Sequence, residues 1–377
     1  MISARDLDRL FVWKAPSRQS ILSLYLDRRG ARGLWSLEDL RIAAKGRLKQ
    51  LESAIEEREI ASLTATFEKI VSQLPEAPRS GHSLVAFAQS GEDGVWLRDL
   101  KVPVTSQAHW GPTPYLRPLL EAVEEYERYG VVLVDKMRAR LFTIFLGEIE
   151  EERDAFNPEP VKHVASTGSD QALTMNLQRR ADAHAHRHWK RVAALLDAME
   201  RERRFDRLIL GGSNDAVAQL RHVLPKRLAS RLAGTVSLPV ESSESEVLRH
   251  TLEIERNAQR ARQKESVEEL ETASAKDARA AAGLEPILEA FREGRIRTLL
   301  YVDGLTLRGR ECPRCGSLFD ETAMRCAYCE AETRPLDDLV ETMAERVAES
   351  GGRIEPVGDP AAERLKELGA IGAFLRF

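Results

Sequence analysis

All four cysteines of this 377-residue chain fall in one window, "CPRCGSLFDETAMRCAYC", as two Cys-x-x-Cys pairs: Cys312 with Cys315, and Cys326 with Cys329. A Cys-x-x-Cys turn aims two thiolates at a common centre, and two such turns complete a tetrahedral sulfur shell for Zn2+. Gly316, directly after the first pair, suits the tight knuckle turn. Disulfides or free loop thiols are the competing readings, and a reducing compartment disfavours the former. With a full thiolate shell and no further ligand type nearby, the site reads as closed and structural.

A second stretch, "LTMNLQRRADAHAHRHW" (residues 173–189), carries a different chemistry. Between Gln178 and Val192 lie five Arg/Lys residues, one Asp, and the histidines His184, His186 and His188. His184 and His188 stand one helical turn apart and could pair on a metal. Arg180, Arg187 and Arg191 would repel that cation, and no third ligand is in sight. Such a helix can instead present a basic face to phosphates, with Gln178, Arg179, Arg180, Arg187, His188, Lys190 and Arg191 as its contacts. An ordinary solvated helix and buried histidines are the bland alternatives. Two weaker signals accompany it. "LGGSND" (Leu210 to Asp215) could cradle a phosphate, although a tight strand-to-helix turn capped by Asn214 explains it more simply. Asp135, at a strand end, would need carboxylate partners to serve a two-metal nuclease, and none is evident.

Composition limits the partners. With 56 basic and 60 acidic residues the formal charge is −4, so no whole-protein field draws the chain to nucleic acid, and any such contact must be local. Arg5, Asp6, Asp8 and Arg9 argue against a signal peptide, and no apolar run approaches the roughly 18 residues of a membrane span. A cytoplasmic, membrane-free protein is the expectation.

The elements that must position these residues form three expected domains: 1–127, 128–242 and 243–377, with the zinc insertion at 310–332. In the first, "SILSLYLD" and "SLVAFAQSGEDGVWLRDL" read as strands. Ser36 caps an amphipathic helix marked by Leu37, Leu40, Ala44, Leu48, Leu51 and Ile55, which breaks near Glu57 to Ala61. A proline-rich entry at Trp110 leads into a helix ended by Gly130. The second domain opens on two strands around the turn Asp135 to Arg138 and a third after Gly147. It continues through the basic helix, the strand Arg207 to Gly212, a helix, and a strand over Thr235 to Val240. Antiparallel strands followed by alternating helix and strand predict a mixed sheet with flanking helices, in a ribonuclease-H-like order. Residues 241–282 read as a charged connecting helix. The third domain alternates helix and strand around the zinc insertion and ends in "AIGAFLRF".

The terminal "LGAIGAFLRF", the Gly-x-x-x-Ile-x-x-Ala helix from Gly283 to Ala290 and the paired knuckles resemble the third domain of archaeo-eukaryotic release factors and Pelota. "VVLVDKMRARLFTIFLGEIEE", "LQRRADAHAHRHWKRV" and "FDRLILGGSNDAVAQLRHVLPKRLASRLAG" resemble the second domain of their bacterial branch, which includes Vms1-like and Balon-like relatives. The resemblance covers about residues 128–377. It implies an α/β multidomain protein with a ribonuclease-H-like middle domain and an L7Ae-like C-terminal domain. It also implies a monomer acting at the ribosomal A site on rRNA and tRNA, beside a translational GTPase. In that family a Gly-Gly-Gln or Gly-Gly-x-x-Gln loop hydrolyses peptidyl-tRNA. Here Thr174 and Met175 stand where the glycines belong before Gln178-Arg179-Arg180, and the alternative "GSDQ" (Gly168 to Gln171) loses the Arg-Arg spacing. β-branched Thr resists the positive-φ backbone that such a loop tip requires. The first domain lacks an Asn-Ile-Lys-Ser motif, so codon reading is not implied. The leading expectation is a catalytically silent ribosome binder in hibernation or rescue. A peptidyl-tRNA hydrolase using Gln178, or a zinc-stabilised protein-interaction module without RNA, are the alternatives.

Overall fold

The computed structural model describes residues 4–17, 19–30, 33–34, 36–53, 55–74, 82–125, 127–156, 171–276 and 279–377; within these, 4, 5, 7, 8, 29, 30, 33, 34, 124, 125, 153–156 and 171–182 are described by backbone alone. The chain divides into two compact units, one made of Met1–Glu125 with Arg260–Phe377, the other of Tyr126–Gln259.

The first unit begins with α1 (Ala4–Phe11), β1 (Ile21–Asp27), the two-residue strands β2 (Arg29–Gly30) and β3 (Gly33–Leu34), α2 (Leu37–Glu52) and α3 (Glu57–Ser72). There follow β4 (Ser83–Gln89), β5 (Val95–Leu100), β6 (Gln107–Gly111) and α4 (Arg117–Glu125). The expected cap is present. Ser36 and Asp39 form a capping box, each side chain accepting the other's backbone N–H, which satisfies donors that the first helical turn leaves free. Helix α2 ends at Glu52 and α3 begins at Glu57, at the near edge of the expected break. The sheet runs β5-β4-β1-β6, all antiparallel, and α2 and α3 cover it through Leu40, Ala44, Leu63, Phe67 and Ile70. Strand β6 was not expected from the sequence, because "QAHWG" lacks a β-branched run.

The second unit holds β7 (Tyr129–Val134), β8 (Arg138–Phe145), β9 (Glu148–Phe156), α5 (Gln171–Arg203), β10 (Arg207–Gly212), α6 (Asn214–Val223), α7 (Lys226–Ala229) and β11 (Leu232–Val236). Helix α8 (Glu244–Ser274) starts in this unit and ends in the first. The sheet order is β11-β10-β7-β8-β9; β7, β8 and β9 pair antiparallel, whereas β10 and β11 run parallel to β7. This is the expected ribonuclease-H-like order. Alternation along the strands builds two cores. Val132, Val134, Ala139 and Leu141 face α5 and α6, while Val131, Leu133, Phe142 and Ile144 meet Leu238, Val240 and Val247. The last strand begins at Leu232, earlier than the expected Thr235, and Pro239 lies beyond it, where a missing N–H costs no ladder bond.

The first unit is completed by β12 (Ala280–Ala282), α9 (Leu284–Arg292), β13 (Ile296–Val302), β14 (Gly309–Glu311), β15 (Leu318–Asp320), β16 (Arg334–Leu336), α10 (Leu339–Glu349), β17 (Arg353–Val357), α11 (Ala361–Glu367) and β18 (Ile371–Leu375). The connecting helix therefore stops short of Ala282, and Ala280–Ala282 is an edge strand on β18. The sheet order is β12-β18-β13-β17, and Val267, Leu270, Leu300, Val357, Leu365 and Phe374 form a core against it.

Within the first unit, α4 packs on the C-terminal sheet through a buried ionic cluster. Arg117, only 4% exposed, meets Glu121 at 2.7 Å and Asp338 at 2.8 Å, and its guanidinium lies 4.9 Å from the Tyr301 ring centroid. The Tyr301 hydroxyl donates to Glu121 at 2.9 Å. Beside it, burial pushes the Glu345 carboxyl up to about 7, against the opposing pull of the Leu116 N–H, and burial together with Glu345 raises Glu341 as well. A carboxyl whose folded pKa lies above its unfolded value of about 4.3 binds more protons in the folded state, so its contribution to stability is lost as pH rises between those values. Glu345→Gln is therefore expected to stabilise the first unit by about 1–2 kcal/mol at pH 7.5, with the gain vanishing toward pH 4.5. Thermal melts of both proteins across that range check this; a gain that grows on acidification would contradict it.

Candidate metal centre and basic helix

The four cysteine sulfurs converge. All ligand atoms lie within 4.8 Å of one another, with Cys312 Sγ 3.4 Å from Cys329 Sγ and Cys315 Sγ 3.5 Å from Cys326 Sγ. A tetrahedral ion with metal–sulfur bonds near 2.3 Å needs sulfurs about 3.8 Å apart, so the cluster can hold one with small adjustment. It is the one such group among the described residues.

The two knuckles repeat one backbone design. Gly316 N–H donates to the Cys312 carbonyl at 2.8 Å, and Glu330 N–H to the Cys326 carbonyl at 3.0 Å. The residue after each pair takes a left-handed conformation, Gly316 at φ 74° and Glu330 at φ 61°. The expected role of Gly316 is thus met, while Glu330 adopts the same turn with a side chain attached. The knuckles stand on the short sheet β15-β14-β16. Glu311, next to Cys312, pairs with both Arg334 and Arg346, and Arg346 Nη1 donates to the Gly316 carbonyl at 2.8 Å. Arg346 lies on α10, thirty positions from the knuckle it holds. Local spacing could not reveal this support.

The basic helix is α5. Its inner stripe, Ala185, Trp189, Val192, Ala193, Leu196 and Met199, is buried at three- and four-residue intervals. Arg187, Lys190 and Arg191 are exposed on the other side. Lys190 and Arg191 form no ion pair among the described residues, and Arg187 Nη2 lies 3.0 Å from His184 Nδ1. His188 corrects one expectation. Placed among the phosphate contacts by its spacing, it is only 3% exposed and sits beside the buried Trp189. Burial lowers its pKa, offset by the Arg138 backbone and Asp135 of the β7–β8 turn and reinforced by Arg191. The side chains of Gln178, Arg179 and Arg180 lie outside the described residues, as does Gly168. The backbone at Thr174, Met175 and Gln178 is helical, since α5 starts at Gln171, so this segment is no loop tip.

The two weaker signals resolve structurally. Asp135 Oδ1 accepts the N–H groups of Met137 at 2.7 Å and Arg138 at 2.6 Å, closing the hairpin turn. In "LGGSND", a Cβ on Gly212 would lie 2.2 Å from the Val134 carbonyl oxygen at φ 138°, which explains that glycine by close packing alone. Ser213, rather than Asn214, caps α6, its Oγ accepting the Ala216 N–H at 3.3 Å.

Fold and site together define a multidomain α/β protein with a tetracysteine cluster that can hold a metal ion and a long basic helix. Residues 114–256 match the sequence model of bacterial archaeo-eukaryotic release factor family 10. The chain is 22% identical over 285 residues to peptide chain release factor subunit 1 of Archaeoglobus fulgidus, covering 70% of this chain and 69% of the relative. It is 27% identical over 212 residues to the Methanopyrus kandleri protein of the same name, covering 54% of this chain and only half, 50%, of that relative. Among solved structures it is similar to Archaeoglobus fulgidus Pelota, with 18% identity, a TM-score of 0.37, and coverage of 78% and 79% of the two chains. Over residues 114–256 the chain is similar to bacterial archaeo-eukaryotic release factor family 10, and over 70% of its length it is similar to an archaeal peptide chain release factor. No helix among the described residues is long and apolar enough to cross a membrane.

Proposed function

We propose that this protein binds the ribosomal A site as a catalytically silent factor, in hibernation or rescue, with α5 facing rRNA or tRNA. The observation that carries this reading is the exposed triplet Arg187, Lys190 and Arg191 inside the segment that matches the release factor family. Arg179 and Arg180 extend the same helix toward its N-terminus, and a translational GTPase is the protein partner in this reading. The chain acts as a monomer of three domains, divided near 127/128 and 242/243, with Zn2+ as the structural ion of the third. Silence follows from Thr174 and Met175: helical backbone there cannot offer Gln178 on a glycine turn to an ester carbonyl, and a misplacement of about 1 Å can cost about 100-fold in rate.

Ribosomes carrying peptidyl-tRNA test the point. The protein is expected to release no peptide above background, and Gln178→Ala to leave that outcome unchanged. Robust release that is abolished by Gln178→Ala would instead establish a peptidyl-tRNA hydrolase.

A further inference from the structure

Gly46 sits in the interior of α2, where glycine is less favourable than alanine because it sacrifices more chain entropy. Its neighbours supply no reason for it. It is exposed, and a Cβ built on it meets nothing within 4 Å. Helical spacing puts it between Ile42, one turn before and 61% exposed, and Lys49, one turn after, on the side away from buried Leu40 and Ala44. The twelve residues from Leu40 to Leu51 contain four cations, Arg41, Lys45, Arg47 and Lys49, and no carboxylate. None of the four forms an ion pair among the described residues; Arg47 donates only to the Gln50 amide oxygen at 2.9 Å. An unpaired basic strip on a chain with a formal charge of −4 is a local field, not an overflow of net charge.

We infer that this face of α2 is a second RNA-backbone contact, in which a sugar-phosphate strand lies against the bare backbone at Gly46. Lys45 and Lys49 meet phosphates on either side, with Arg41 and Arg47 at the margins, and Ile42 covers a ribose face. A glycine that nothing within the molecule requires is then explained by what approaches from outside, since a methyl group would hold the strand away. The charge pattern selects a polyanion over an apolar or uncharged protein surface. This inference rests on the ribosome-binding reading above, but on different residues in the other compact unit.

The full-length protein, Gly46→Ala, Lys45→Ala/Lys49→Ala and an α5 variant (Arg187→Ala/Arg191→Ala) are titrated against purified ribosomes at several salt concentrations, with thermal melts in parallel. Gly46→Ala is expected to raise the melting temperature by about 2 °C, because open space receives the methyl group and the helix gains propensity, yet to weaken binding several-fold. The lysine pair should weaken binding about tenfold or more and reduce the log–log salt slope by about two. A purely structural glycine would not raise stability and lower binding together. The inference is overturned if Gly46→Ala lowers the melting temperature, or if both α2 variants bind like wild type while the α5 variant loses affinity. In the second case the ribosome reading stands and the α2 strip is a solvated face. Weaker binding with an unchanged salt slope would assign the strip to a protein surface and overturn the RNA assignment. If the wild type does not bind ribosomes, the reading beneath it falls and this inference falls with it.

Discussion

One zinc per chain, measured by elemental analysis on protein purified without chelator, is the expected result for the cluster Cys312, Cys315, Cys326 and Cys329. A structural tetracysteine site couples metal binding directly to local folding, with apparent free energies of about 10–16 kcal/mol in small zinc modules. Beyond the metal, the insertion is held by the Glu311 ion pairs with Arg334 and Arg346 and by the Phe319–Tyr328 stack. Strands β14, β15 and β16 are three residues each, and burial there is centred on Cys312, at 0% exposure, and Cys326, at 2%. Cys326→Ser leaves three thiolates and should cost most of that free energy. Residues 310–332 should then lose amide protection, along with the Glu311–Arg346 ion pair that ties them to α10. The second unit, with its separate cores, should melt as before. Metal-free protein with full protection across the insertion would show that packing alone shapes the knuckles.

The second large effect concerns the basic helix. Arg179→Ala/Arg180→Ala/Arg187→Ala/Arg191→Ala is expected to weaken ribosome binding at physiological salt by about 100-fold or more. The log–log salt dependence should flatten by as much as one unit for each phosphate that is no longer neutralised. Folding should be little affected, because Arg187 and Arg191 project away from the stripe Ala185, Trp189, Val192 and Leu196 that anchors α5. Adding His188→Ala to this set would confuse the reading, since His188 is buried and its removal would leave a cavity beside Trp189. If the quadruple variant binds with unchanged affinity and salt slope, α5 presents an ordinary solvated face.

How far these features were legible in the sequence depended on whether the signal was local. The knuckles, the Ser36 cap and the apolar strands β7 and β8 each declare themselves within a few residues, and each stands where expected. Strand β12 did not: three alanines after a charged helix carry no β signal, and only pairing with Gly372, Ala373 and Phe374 makes them a strand. His188 misled for a related reason. In a helix with polar residues at 184, 186, 187 and 188 the period alone does not show which of them turns inward, and Trp189 and Ala185 draw that face into the core. The Arg117 cluster and Arg346 were invisible because their partners lie far along the chain, Asp338 being 221 residues from Arg117. The glycine pair of "LGGSND" ends strand β10, and the 2.2 Å approach to the Val134 carbonyl oxygen supplies the physical cause for Gly212.

Co-sedimentation of the purified full-length protein with ribosomes through a sucrose cushion bears on the proposed role more directly than any variant. The protein should pellet with ribosomes at low salt, be released progressively as salt rises, and be competed by occupancy of the A site. Protein that stays in the supernatant at every salt concentration, while folded and metal-loaded, would contradict ribosome binding and leave the zinc-stabilised interaction module in its place.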